Sequence, residues 1–232
     1  MAPYTVAQRV AAEFLGTALL LATVIGSGIM SAKLSAGNDA LALLGNTLPT
    51  GAILVVLITV FGPVSGAHFN PAVSGVFWLR GESSSRLTLF YVMAQICGGL
   101  VGVAAAHMMF DLPLVQVATK MRTGTGQWFA EGVATFGLLF TILGTLQARP
   151  KSVAVNVGLY ITAAYWFTAS TSFANPAVTI ARAFSDTFAG IRMTDVVPFI
   201  IAQLVGALIA MLLAGWLFRP ALQKQIKTVC AE

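Results

Sequence analysis

Charged residues are scarce in this chain of 232 residues: aspartate, glutamate, lysine and arginine together make up 9%, whereas soluble domains carry about 25%. Hydrophobic residues make up 57% of the chain. This composition excludes a soluble domain of useful size and predicts a protein with several membrane spans. The formal net charge of +5 is best explained by basic loop residues that set membrane topology, and we therefore expect no nucleic-acid partner.

Cysteine and histidine are also rare, with two residues of each. Cys97 lies in an apolar segment and Cys230 near the C-terminus, so no disulfide framework is indicated. His68 and His107 lack the neighbours that would complete a metal site. The sequence contains no evident Ser-His-Asp set, paired carboxylates or glycine-rich phosphate loop, so we expect neither enzymatic activity nor a cofactor.

What the chain does contain is a pair of Asn-Pro-Ala triplets, Asn70-Pro71-Ala72 and Asn175-Pro176-Ala177, each between apolar segments. Asn is a good helix N-cap and Pro is favoured at the first helical position, so each triplet predicts a helix start. The chain then stays compatible with a helix for about ten residues, to Arg80 and to Ser185. That length is about 15 Å, half of a ~30 Å hydrocarbon core. We therefore predict two half-helices that meet at the membrane midplane.

Six apolar segments predict full membrane spans. Their approximate bounds are 10–32, 45–61, 87–110, a fourth that ends near 147, 153–169 and 196–218. Gly62 and Pro63 predict a break after the second span.

Three features recur in the same order along the chain. Glu13 and Glu131 are 118 residues apart, the two triplets 105, and Gln95 and Gln203 108. The chain is therefore predicted to form one membrane channel domain, 1–232, built from two repeats at about 8–110 and 127–218. Each repeat has three spans, so the second must be inverted relative to the first. Inverted repeats with broken helices are typical of transport proteins whose site lies at the midplane.

The distribution of basic residues favours an orientation with both termini cytoplasmic, since cytoplasmic loops carry the excess of Lys and Arg. In that orientation eight basic residues lie inside: Arg9, Arg80, Arg86, Arg149, Lys151, Arg219, Lys224 and Lys227. Five lie outside: Lys33, Lys120, Arg122, Arg182 and Arg192.

Taken together, six stretches resemble the aquaporin and aquaglyceroporin (major intrinsic protein) family over essentially the whole chain. They are Ala12-Glu13-Phe14, Ser65-Gly66-Ala67-His68-Phe69-Asn70-Pro71-Ala72-Val73, Ala94-Gln95, Ala130-Glu131-Gly132, Asn175-Pro176-Ala177 and Ala202-Gln203. The resemblance implies an all-α membrane protein of aquaporin-like fold, with six transmembrane helices and two re-entrant half-helices around a pore. It also implies a homotetramer, and we expect it in the lipid bilayer of a bacterial inner (plasma) membrane.

The resemblance also implies roles for the recurring residues. Asn70 and Asn175 would donate amide hydrogens to a passing solute oxygen. Glu13 and Glu131 are intramembrane carboxylates, which are costly and usually functional; they would hold the re-entrant loops by accepting backbone hydrogen bonds, with proton relay as the alternative. Two extended segments would offer backbone carbonyls to the pore: Gly66, Ala67 and His68 in one, and Thr171, Ser172 and Phe173 in the other.

The second constriction of the family is expected at four residues near the outer mouth. Counting from the triplets places it at Thr50, Ala163, Ser172 and Val178. Members of the family usually have an Arg and at least one aromatic residue there, whereas this set has neither, which predicts a wide mouth without a fixed cation. Arg182, one turn beyond Val178, either partly replaces the Arg or faces the outer vestibule, and we favour the vestibule.

These features favour a passive channel for small uncharged solutes with a wide filter. The expected cargo is glycerol-like polyols, neutral arsenous acid and related metalloids, and water, because the filter resembles that of variant aquaglyceroporins associated with bacterial arsenic resistance. The alternatives are a water-selective channel and, from another class, an ion-coupled secondary transporter. The transporter would need titratable residues in the pore, and Glu13 and Glu131, the only candidates, are expected to lie off it.

Overall fold

The computed structural model describes residues 4–218, so Arg219, Lys224, Lys227 and Cys230 lie outside the described part. Within that part the chain is helical and contains no strand. Its α-helices are α1 (Val6–Leu34), α2 (Asp39–Ser65), α3 (Pro71–Leu79), α4 (Ser85–Met109), α5 (Thr125–Ala148), α6 (Val153–Phe167), α7 (Pro176–Arg182) and α8 (Met193–Leu217).

Five of these helices, α1, α2, α4, α5 and α8, are long and apolar enough to cross a membrane. The segment predicted as the fifth span forms α6, which has 15 residues and follows a short 3₁₀ turn at Pro150–Ser152. The short helices α3 and α7 follow the two triplets, and α7 ends at Arg182, three residues before the predicted end at Ser185.

Local capping chemistry explains where most helices begin. Thr5 and Gln8 form a reciprocal capping box at α1, and the side chains of Asn38 and Ser84 cap α2 and α4. At α3 and α7 the N-caps are Asn70 and Asn175, each followed by Pro at the first helical position.

The predicted break at Gly62 and Pro63 is wrong, because α2 continues through both residues to Ser65. Pro63 lies in the last turn and lacks the N–H that would bond to the carbonyl four residues earlier, so the helix continues there with one bond fewer. The Gly66 N–H closes that turn on the Gly62 carbonyl at 3.0 Å. Gly66 itself is left-handed, with φ at 92°. The helix therefore ends at a glycine C-cap.

The long helices pack in the same way in both halves of the chain. Helix α1 packs on α4 and α2, α5 packs on α8 and α6, and α2 and α6 join the halves. A Cβ on Gly98 would lie 2.3 Å from the Phe14 carbonyl oxygen, and one on Gly206 would lie 2.2 Å from that of Gly132. Only glycine therefore lets these backbones approach so closely.

The segment between α4 and α5, residues 111–124 (the long loop), lies along residues 183–192. The Ala118 N–H donates to the Ala183 carbonyl at 3.0 Å, and the Arg192 N–H donates to the Lys120 carbonyl at 2.8 Å. His107, at the end of α4, contacts both segments through the Leu114 carbonyl and the Ser185 hydroxyl. The long loop is thus anchored beside the end of α7.

Candidate functional site

The starts of α3 and α7 are joined by two reciprocal hydrogen bonds. The Asn70 amide donates to the Ala174 carbonyl at 2.7 Å, and the Asn175 amide donates to the Phe69 carbonyl at 2.8 Å. The amide oxygens accept the N–H groups of Ala72 and Ala177. Because each amide nitrogen carries two hydrogens, each asparagine keeps one for a solute.

The segments before the triplets share an unusual backbone. Ala67 and Phe69 have positive φ, and so do Ser172 and Ala174 at the matching positions of the other half. Non-glycine residues are disfavoured in this left-handed region, so the surroundings must hold them there.

Glu13 holds the first of these segments. One carboxylate oxygen accepts the His68 N–H at 2.9 Å and the Ser65 hydroxyl at 2.6 Å, and the other accepts the Phe69 N–H at 2.7 Å. The Gln95 amide donates to the same carboxylate. With 0% exposure and both oxygens occupied, this carboxylate can fix the loop.

Glu131 holds the second segment in the same way. Its two oxygens accept the N–H groups of Phe173 and Ala174 at 2.8 and 2.9 Å, and the Gln203 amide donates at 2.6 Å. Gln203 also donates to the Thr179 hydroxyl. The side chain has 0% exposure, so this carboxylate too is engaged with backbone rather than open to a pore.

A cavity of about 180 Å³ passes the two asparagines. Much of its wall consists of apolar side chains four residues apart on α2, α5 and α6, so one face of each helix lines it. These stripes are Thr50, Leu54 and Ile58; Leu138, Ile142 and Leu146; and Val153, Val157, Ile161 and Tyr165. The cavity therefore sets an apolar wall against a line of polar backbone and amide groups.

Most of the predicted site residues line this cavity. They are Thr50, Gly66, Ala67, His68, Asn70, Ser172, Phe173, Asn175, Val178 and Arg182. Others are absent from the lining but adjoin it in the chain, namely Pro71, Ala72, Thr171, Pro176 and Ala177. Glu13 and Glu131 lie off the cavity and against the loops.

Ala163 was expected in the constriction, and the structure corrects this. It lies on the exposed side of α6, while Ile161 and Tyr165 line the cavity. A step of two residues turns a helix by about 200°, which places Ala163 opposite them. The Tyr165 hydroxyl approaches that of Thr50 at 3.4 Å, so an aromatic residue lies beside Thr50 in the cavity wall.

Arg182 is also placed differently from the favoured expectation, because it does not face an open vestibule. It has 1% exposure and lines the same cavity as Ser172 and Val178. Its guanidinium carbon lies 3.4 Å from the centre of the Phe173 ring, and its Nε donates to the Ala189 carbonyl. The Arg182 Nη1 and the Ser172 hydroxyl are buried without a protein partner.

Arg122, in the long loop, is a residue that sequence reasoning missed. It has 7% exposure, and its guanidinium donates to the carbonyls of Gly190 at 2.8 Å and Ser170 at 3.0 Å. It also lies 4.9 Å from the centre of the Phe173 ring. Burial and the nearby Arg182 charge lower the pKa of Arg122. No periodicity or motif marks this residue in the sequence.

The histidine in the site serves packing and hydrogen bonding. The His68 ring lies 4.7 Å from that of Phe77, and its Nδ1 is 3.0 Å from the Ser74 hydroxyl. Among residues 4–218, no group of three or more His, Cys, Asp or Glu side chains is placed to hold a metal ion.

Comparison with known proteins places this geometry in context. The model of the family described as "Major intrinsic protein" matches residues 2–153 and 147–231. The chain is 57% identical to aquaglyceroporin AqpS of Rhizobium meliloti over 95% of its own length and 94% of that protein. It is 29% identical to aquaporin AqpM of Methanothermobacter marburgensis, over 88% of the chain and 95% of that protein.

Among solved structures, the aquaglyceroporin of Plasmodium falciparum has the same fold. The two superpose with a TM-score of 0.76 at 21% sequence identity, over 93% of this chain and 98% of the other. At that identity the likeness concerns the fold alone.

Proposed function

Because the chain belongs to the major intrinsic protein family, we propose that the cavity past Asn70 and Asn175 is the pore of a passive membrane channel. As a member of that family the chain is a channel and not an enzyme. Its solutes are small and uncharged, and they include glycerol-like polyols and water.

The observation that carries this proposal is that Asn70 and Asn175 lie together in the cavity wall, each donating to the carbonyl of the residue before the other. Donors from both halves converge there, and the positive N-terminal ends of α3 and α7 both lie at this point. A cation arriving at this point would lose its hydration and face the amide donors of both asparagines. A hydroxyl group, which can accept a hydrogen bond, would be accommodated.

The proposed outer constriction consists of Thr50, Tyr165, Ser172, Val178 and Arg182. Ser172, Val178 and Arg182 line the cavity. The hydroxyl and the guanidinium suit the oxygens of a polyol, and Val178 suits its carbon side. Arg182 thereby supplies, from one turn further along α7, the cation that is absent at position 178. Neutral arsenous acid presents the same set of hydroxyl groups, and we propose it and related metalloids as further cargo.

We further propose a homotetramer in a bacterial inner membrane, with both termini cytoplasmic and the repeats at 8–110 and 127–218 inverted. The outward face of α8 supports insertion in lipid or against a second subunit. It exposes a row of apolar side chains: Val197, Ile201, Leu204, Leu208 and Leu212. The relative from Rhizobium meliloti supports a bacterial setting.

Stopped-flow measurements on proteoliposomes test the function directly. We expect permeability to water, glycerol and neutral arsenous acid above that of empty vesicles, with flux that rises linearly with the gradient. Permeability to water alone would identify a water-selective channel instead. Flux that saturates and follows a proton gradient would identify an ion-coupled transporter.

A further inference from the structure

The guanidinium of Arg122 joins two segments that flank the proposed constriction. On one side it donates to the Ser170 carbonyl and the Thr171 hydroxyl, directly before Ser172. On the other it donates to the Gly190 carbonyl. Gly190 follows Ala189, whose carbonyl accepts the Arg182 Nε. One side chain thus contacts the segment before Ser172 and the segment that binds Arg182.

The backbone beside Ser172 needs such a contact more than its counterpart does. Residues 66 and 171 occupy matching positions, 105 apart, and both have positive φ. Gly66 adopts this conformation without a steric penalty, whereas the β-branched Thr171, with φ at 62°, does not. The half with this additional strained residue is the half that receives the arginine.

Charge adds a second restraint. Arg122 and Arg182 both lie against the Phe173 ring, at 4.9 and 3.4 Å from its centre. In the described residues, neither guanidinium is within ion-pairing distance of a carboxylate. Each is therefore stabilised by carbonyls and by the ring, and their mutual repulsion limits how far Arg182 can move toward the long loop.

We propose that Arg122 is a specificity-determining residue of the channel, acting by position rather than by touching the solute. Its forked guanidinium keeps Ser172 and Arg182 at a fixed separation, and so sets the size of solute that passes. This inference rests on the proposed function of the cavity as the pore. Arg122 itself is absent from the cavity lining.

The long loop should survive substitution of this side chain, because other bonds anchor it. The Arg122 N–H donates to the Asp195 carboxylate at 2.9 Å, and this bond does not depend on the side chain. The Lys120 carbonyl accepts the Arg192 N–H, and Thr119 binds the Asp186 carboxylate.

The test compares Arg122→Gln, Arg122→Lys and Lys120→Gln in proteoliposomes, with the permeability ratio of a four-carbon polyol to water as readout. We expect Arg122→Gln to raise this ratio by about threefold, since the segments it joins can then separate. Arg122→Lys should shift it in the same direction, because an ammonium cannot reproduce the fork. Lys120→Gln removes a charge from the same loop and should leave the ratio unchanged.

Thr171→Ala provides an independent variant, since it removes one acceptor of the fork and leaves the arginine in place. It should shift the ratio in the same direction by a smaller factor, and it decides the matter if Arg122→Gln fails to fold. The inference is overturned if folded Arg122→Gln has the wild-type permeability ratio. It is also overturned if Arg122→Lys has the wild-type ratio, whatever Arg122→Gln shows. If the unmodified protein conducts no polyol, the proposed function fails; if it conducts and the variants match it, this inference alone fails.

Discussion

The two loop–helix segments, residues 65–79 and 170–182, are held by the same kind of support but differ in the side chains at the ends of their short helices. In each, a buried carboxylate accepts two backbone N–H groups, and a glutamine joins that carboxylate to a hydroxyl on the short helix. This support is repeated almost atom for atom. The duplicated part of the chain is therefore the part that fixes the backbone.

The difference appears where the short helices end. Phe77 and Arg182 occupy matching positions, 105 residues apart. Phe77 packs against His68 with 4.7 Å between ring centres, whereas Arg182 lies 3.4 Å from the centre of the Phe173 ring. Among residues 4–218, the long loop hydrogen-bonds to the second of these segments and not to the first. We propose from this comparison that selection among solutes belongs to the mouth at the second segment, on a scaffold common to both.

The largest effect should come from removing a supporting carboxylate. Glu131→Leu leaves two buried N–H groups without an acceptor in a strained segment, which should lower the free energy of unfolding by about 3 kcal/mol or more. Glu13→Leu should cost a similar amount, since its contacts are equivalent. Thermal unfolding in detergent measures both, and glycerol flux per folded protein should be close to zero. If either variant is stable and conducts glycerol, the two carboxylates are not equivalent supports.

The next largest effect should come from placing the missing cation at the constriction. Val178→Arg narrows a mouth that already holds Arg182, so glycerol flux should fall about tenfold more than water flux. Ala163→Leu, on the exposed side of α6, serves as the control and should alter neither. Equal loss of water and glycerol flux would show that Val178 does not lie at the narrowest point.

A direct test of the difference between the mouths exchanges the matching residues for alanine. Arg182→Ala removes a large side chain from the constriction and should raise the ratio of four-carbon polyol to water permeability about fivefold. Phe77→Ala should change that ratio by less than about twofold, because this ring packs on His68 and no charged side chain selects solutes at that mouth. Equal shifts would mean that both mouths select.

The smallest effect should be a pH dependence confined to the long loop. Partial desolvation over the Phe188 ring and the charges of Arg122 and Arg182 lower the pKa of Lys120 to about 8. Since this is below the ordinary value near 10.4, the charged ammonium destabilises the fold at pH 7, and that penalty fades as pH rises through 8.

Lys120→Gln should therefore raise the thermal midpoint by about 1–2 °C at pH 7, and the gap should narrow above about pH 8 and close only at about pH 11. Lys33→Gln, in the last turn of α1, controls for the loss of a lysine in general. A gap that stays constant with pH would assign the effect to packing.

Much of this architecture could be predicted because its signals are local or repeated. An asparagine before a proline specifies a helix start from adjacent residues, and α3 and α7 begin where the triplets indicate. Glu13 and Glu131 stand out as isolated carboxylates in apolar segments, and each lies against the loop that the resemblance implies.

The parts that could not be predicted depend on contacts distant in sequence. Counting from a triplet does not give the rotation of α6, so Ala163 was chosen where Tyr165 lines the cavity. A cation near a helix C-terminus is ordinarily solvated, and Arg182 is buried because residues 189–190 and the long loop cover it. The Arg122 contacts span 48 to 68 residues, beyond the reach of any local pattern.

The two crossed hydrogen bonds, from Asn70 to the Ala174 carbonyl and from Asn175 to the Phe69 carbonyl, have a kinetic consequence. A carrier that exposes its site alternately must part its two halves in each turnover, and here that would rupture both bonds in a buried setting. A pore whose two halves are joined by these hydrogen bonds does not pass through an alternating-access cycle. Its conductance should keep the shallow temperature coefficient of aqueous diffusion, and any gate would have to act at an entrance.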